Sequence, residues 1–125
     1  MKIAALIARI LLGLVFFVFG LNGFLHFIPA PPPSGVAGTF AGILISTRYF
    51  YVVSAIQVVG GALLLVNRYV PLALTLLGPV IVNIFLFHAL MDPHGLPMAM
   101  VVVILWGILF WRHKQAFAGV LASGT

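Results

Sequence analysis

The 125-residue sequence has no cysteine, one acidic residue (Asp92) and only 6% charged residues. The missing cysteine excludes disulfides, thiol catalysis and thiolate-held metal clusters within this chain. With a single carboxylate, paired-carboxylate catalysis and a proton path through acids are both excluded, and no nucleophile–base–acid set can be assembled. A water-soluble domain carries about 25% charged residues, so the low charge argues that water is not the main solvent. What is abundant is apolar: 64% of the residues are hydrophobic. The net charge of +5 comes from a few dispersed cations that flank apolar runs. Such spacing predicts membrane orientation and excludes nucleic acid as a partner.

The run at 70–90, VPLALTLLGPVIVNIFLFHAL, organises the reading. It has the roughly 20 apolar residues needed to cross a bilayer. Pro71 suits the first helical turn. Pro79, following Gly78, withholds a donor from the carbonyl of Thr75 and predicts a kink. The Thr75 hydroxyl or a neighbouring helix is the expected replacement donor. Three more spans follow from length and polarity, over 3–27, 49–66 and 97–111. The basic start of the first resembles a signal peptide, but its apolar run is too long and no small-residue cleavage pattern follows. The expected fold is therefore all-α: a single integral membrane four-helix bundle covering residues 1–125, with the bilayer as its first partner.

In the first span Gly13 and Gly20 are seven apart and form a small-residue stripe for close helix packing. Asn22 and His26 share a different face. In the second, Ser54, Gln57 and Gly61 make one small, polar face, and Gln57 in hydrocarbon must be hydrogen-bonded. Between these spans Pro29 and Pro31 to Pro33 predict an extended polyproline segment. The stretch 39–46, TFAGILIS, is too short to span. It predicts a surface or re-entrant helix burying Phe40, Ile43 and Leu44, or an ordered loop. The fourth span is short, so it begins in the preceding MDPHGL loop or continues past Arg112. Trp106 and Trp111 are expected as interface anchors, and residues 122–125 are expected to fray.

With four crossings, Lys2, Arg9, Arg68, Arg112 and Lys114 lie on one side, and Arg48 and Asp92 on the other. The positive-inside rule puts both termini in the cytoplasm of a bacterial or archaeal inner membrane. Asn22, His26, Asn83 and His88 then fall in the outer half of the bundle, with Gln57 facing them. This predicts a polar mouth between the first three spans. A metal or haem would need ligand spacing that the histidines do not offer: there is no His-x-x-x-His pair, and Asn83 and His88 lie about 140° apart on a helix.

The residues Arg9-x-x-x-Gly13, followed by FxxFGLNGFLHFIP, and the stretch QVVGGALLLVNRYVPLALTLLGPVIVNIFLFH from Gln57 to His88, resemble DoxX-type membrane proteins. That resemblance implies a small four-helix membrane protein of redox-associated or accessory character, named for a subunit associated with a thiosulfate:quinone oxidoreductase. Family members commonly carry a glutamate where this chain has Gln57. Taken with the polar mouth, it implies a pocket of Asn22, His26, Gln57, Asn83 and His88 for a quinone-like or other small amphipathic molecule. The alternative is a structural subunit without a ligand, packed by its glycine faces into a larger membrane complex or a homo-oligomer. A small-solute transporter ranks below both, because four helices leave little room for alternating access.

Overall fold

The computed structural model describes residues 2–28 and 33–124. Five α-helices account for most of them: α1 (Lys2–Leu25), α2 (Gly35–Ser46), α3 (Tyr49–Leu65), α4 (Val70–Leu90) and α5 (Leu96–Arg112). Among the described residues there is no strand. Pro29, Pro31 and Pro32, where an extended segment is expected, lie outside the described residues. Three segments are long and apolar enough to cross a membrane: α1, α4, and α5 with the short 3-10 turn Pro93–Gly95 that leads into it. The fourth span therefore begins in the loop. The 17 residues of α3 rise about 26 Å at 1.5 Å each, at the short end of a crossing. With α2 it forms a pair that passes the same test but is bent by 85°.

The four long helices form a closed ring. α1 packs on α3, α3 on α4, α4 on α5, and α5 back on α1. α1 and α3 run antiparallel, because rising numbers on one meet falling numbers on the other: Gly13 lies against Gly61 and Leu65, Gly20 against Gln57 and Val58, Gly23 against Ser54. The buried face of α1 (Ala5, Ala8, Leu12, Gly13, Phe16, Gly20 and Gly23) has helical spacing. Its other face is equally apolar, with Leu6, Ile7, Ile10, Leu11 and Leu14 all exposed. A helix apolar all round but buried on one side has lipid as its solvent on the other. The core at the ring's centre includes Leu12, Phe16, Leu64, Leu74, Leu77 and Leu109.

Hydrogen bonds fasten the ring where the helices end or break. Arg9 Nη1 donates to the carbonyl of Leu64 at 2.5 Å and to that of Leu65 at 3.3 Å. It thus supplies donors to the last turn of α3, whose carbonyls have no partner within the helix. Trp106 is not an interface anchor. Its Nε1 donates to the carbonyl of Leu74 at 3.0 Å, tying α5 to α4 just below Pro79, and its ring stacks on Phe110. An indole N–H in hydrocarbon gains more from a protein carbonyl than from a position without a partner. Trp111 is exposed, with Lys114 Nζ 3.8 Å from its ring centre. The Thr75 hydroxyl is not free to serve its own carbonyl, because it donates to Pro71 O at 2.9 Å.

Beyond α5 the chain continues as a 3-10 turn, Lys114–Phe117, and then irregular backbone. The stretch expected at 39–46 is helical and begins four residues earlier, at Gly35. Only Ala37 of α2 is buried; Ile43 is 56% exposed and is not part of an inward face. The side of α2 turned to the bundle carries Phe40, Ala41 and Leu44 instead.

Candidate functional site

A cavity of about 740 Å³ lies between α2, α3 and α4. Phe40, Ala41 and Leu44 of α2 cover it; Phe50, Val53, Ile56 and Gln57 of α3 form one wall; Pro79, Val80, Asn83, Ile84, Phe87 and His88 form the other. The cavity exists because α2 leaves Arg48 at a right angle to α3. Arg48 takes a left-handed backbone, φ 63°, and turns the chain by 85°. α2 thus turns away from the axis of α3 rather than continuing it. At the rim the rings of Phe40 and Phe87 are 5.6 Å apart. Tyr49 is the only other polar side chain among the lining residues, and none of them carries a formal charge at neutral pH with neutral histidine.

Gln57 is the deepest polar group of the site. It is 8% exposed and lines the cavity, and the buried side-chain atom without a hydrogen-bond partner among the described residues is Ser54 Oγ, on the same face of α3. Its Cβ is fixed by the approach of Gly20 on α1, so the amide sits between the α1–α3 contact and the cavity. A primary amide held in an apolar surround without a partner costs several kcal/mol. Asn83, one turn beyond Pro79, spends part of its amide locally: Nδ2 donates to Pro79 O at 2.8 Å. His88 closes the far end. Its Nδ1 is 3.1 Å from Asp92 O, its ring meets Phe87 edge-on at 5.1 Å, and Gly95 lies so close that a Cβ there would collide with the ring.

The other two residues expected at the mouth lie elsewhere. Asn22 seals the end of α1: its Oδ1 accepts from Ile28 N at 2.7 Å and its Nδ2 donates to Ile28 O at 3.4 Å. His26 terminates α1 in a left-handed conformation, φ 52°, and is exposed. Neither lines the cavity, and neither does any other residue of α1. The space lies behind α3, whereas the sequence predicted it between the first three spans. Phe40 and Leu44 of α2 were expected on an inward face but were not assigned to the site, and the contact of Phe40 with Phe87 at the rim was missed. The signal for them was the apolar spacing of Phe40 and Leu44 next to a proline-rich stretch. Among the described residues, no three metal-binding side chains gather.

A second hollow, of about 360 Å³, lies between α4 and α5 against Gly78, Val82, Phe85 and Trp106. The indole N–H there is already spent on Leu74, so this hollow offers a ligand no free polar group. The cavity under α2 is the one with both apolar walls and polar groups able to orient a ligand.

A family model described as DoxX matches residues 4–89. The match covers more than half of the chain and runs from the first turn of α1 almost to the end of α4. The chain belongs to the DoxX family. Every residue that lines the cavity, from Pro33 to His88, falls within the DoxX match, whereas α5 falls outside it. No curated protein and no solved structure matches the chain.

Proposed function

We propose that this DoxX-family membrane protein is a redox-associated accessory protein that holds a small, neutral, quinone-like amphipathic molecule in the cavity between α2, α3 and α4. The observation that carries the reading is Gln57: a residue more than nine-tenths buried whose side chain lines an otherwise largely apolar cavity wall. A ligand hydrogen bond to that amide offsets its desolvation. The uncharged lining favours a neutral ligand, since an ion left unpaired in such surroundings is strongly disfavoured. The apolar walls suit a ring and an alkyl tail. The setting is a bacterial or archaeal inner membrane with both termini in the cytoplasm, as the distribution of basic residues suggests.

The test is occupancy. Protein extracted in mild detergent is analysed by mass spectrometry for a co-purifying small molecule and titrated with a short-chain benzoquinone. Binding in the wild type and its loss in the Gln57→Leu, Asn83→Leu double variant is the expected result. The variant itself should stay assembled, because leucine suits the apolar surround of both positions and removes no hydrogen bond between helices. An empty protein that neither binds the quinone nor carries a small molecule, and that instead purifies with a stable partner or as a homo-oligomer, would support a structural subunit of a larger membrane complex.

A further inference from the structure

Two of the four polar side chains that line the cavity, His88 and Asn83, have part of their hydrogen-bonding capacity already assigned. His88 Nδ1 is 3.1 Å from the carbonyl oxygen of Asp92. A carbonyl only accepts, so Nδ1 carries a proton and donates to it; in the neutral imidazole Nε2 is then bare and can only accept. Asn83 Nδ2 gives one hydrogen to Pro79 O at 2.8 Å, which fixes the orientation of the amide and leaves Oδ1 as an acceptor. Gln57 offers both a carbonyl oxygen and an amino group. The imidazole cannot easily turn to present a donor instead: the Asp92 carbonyl, the edge contact with Phe87 and the backbone of Gly95 hold it on three sides.

Resting on the reading of the cavity as a ligand site, we infer that the molecule it selects carries a hydroxyl group, with His88 Nε2 as the acceptor that reads it. A phenolic or alcoholic O–H donates to Nε2, while other polar atoms of the ligand meet the Gln57 and Asn83 amides. A ligand whose only oxygens are carbonyls or ethers also satisfies the amides, but it leaves Nε2 without a donor. Sites built around a polar group discriminate strongly against analogues that leave the group unpaired. On this basis the reduced, hydroxyl-bearing form of a quinone-type ligand is preferred over the oxidised, carbonyl-bearing form. His88 is a specificity-determining residue and Gln57 contributes affinity for both forms.

Two redox-inert probes isolate the hydroxyl: a para-alkylphenol and its methyl ether with the same tail, titrated calorimetrically into detergent-solubilised protein. The expected result is binding of both by the wild type, with the phenol favoured by about tenfold, the value of one hydrogen bond. His88→Phe should bring the two affinities together, and His88→Gln, which restores an acceptor oxygen, should recover part of the preference. Gly95→Ala keeps the imidazole but displaces it, and should also narrow the ratio. Equal affinities in the wild type would overturn the inference while leaving the cavity a ligand site. A preference unchanged in His88→Phe would overturn the role of His88. Failure of both probes to bind would count against the cavity reading itself.

Discussion

Gly20 of α1 lies directly against Gln57 of α3: a methyl group added at Gly20 would stand 3.0 Å from Gln57 Cβ and 2.8 Å from the backbone nitrogen of Val58. One glycine therefore sets both the spacing of two helices and the placement of the amide that reaches the cavity. Gly13 and Gly61 repeat the contact nearer the other end, where a Cβ on Gly61 would be 2.5 Å from Phe17 N.

Widening these side chains should separate α1 from α3. Gly13→Leu and Gly20→Leu are each expected to destabilise the bundle by roughly 1–3 kcal/mol through overpacking, seen as a lower unfolding temperature in detergent. Gly107 has no atom within 4 Å of an added Cβ, so Gly107→Ala should leave that temperature unchanged or raise it. Equal behaviour of all three variants would show that the glycine stripe does not set the helix spacing.

Arg9 should matter through its hydrogen bonds more than through its charge. Arg9→Met removes the donors to Leu64 O and Leu65 O while retaining much of the side-chain bulk. Leu64 O keeps the backbone N–H of Asn67, so the loss is that of the two Arg9 hydrogen bonds, and a cost of about 1–2 kcal/mol is expected. Arg9→Lys keeps one cationic donor and should recover part of the loss. Thermal unfolding of the three proteins in the same detergent is the comparison, and a Lys variant no better than Met would point to the guanidinium fork as the essential feature.

Topology is testable from the two ends. Lys2, Arg9, Arg68, Arg112 and Lys114 share one side of a four-crossing path, and cytoplasmic retention of that side is expected. Reporter fusions at residues 1 and 125 should both report a cytoplasmic location. Termini on opposite sides would rule out the four-crossing path, and both termini outside would overturn the orientation.

His113, just beyond α5, has a pKa lowered from the usual 6.5, chiefly by burial and secondarily by the positive charge of Arg112. The folded chain thus resists protonation more than the unfolded chain does. Its contribution to stability is complete above pH 6.5, and it declines as the pH falls through 6.5 toward the lower folded value. The unfolding temperature of the wild type should drop over that range by more than that of His113→Gln. Parallel pH curves for the two proteins would contradict this.

The spans were legible in the sequence because length and hydropathy alone determine what crosses a bilayer. The Ser54–Gln57–Gly61 face was legible because small and polar residues recur at helical spacing, and all three are buried against α1 or the cavity. The meeting of Gln57, Asn83 and His88 at one cavity followed from their depth on neighbouring helices. Depth alone did not distinguish a side chain open to the cavity from one already engaged. Asn22 closes the last turn of its own helix through Ile28, a local contact that leaves no trace in helical periodicity. Trp106 fits the pattern of an interface anchor, yet it turns inward because an accepting carbonyl lies within reach on α4. The length and right-angle setting of α2 depend on the left-handed backbone at Arg48, a residue with no composition signal for a turn.

Of the twelve residues of α2, only Ala37 is buried. The helix that roofs the cavity therefore contributes little to holding the ring together, and the ring residues that hold the bundle contribute little to the roof. Substitutions at exposed positions of 35–46 can change the shape of the entrance while leaving the interior packing intact. The entrance and the bundle interior are thus separable parts of this architecture.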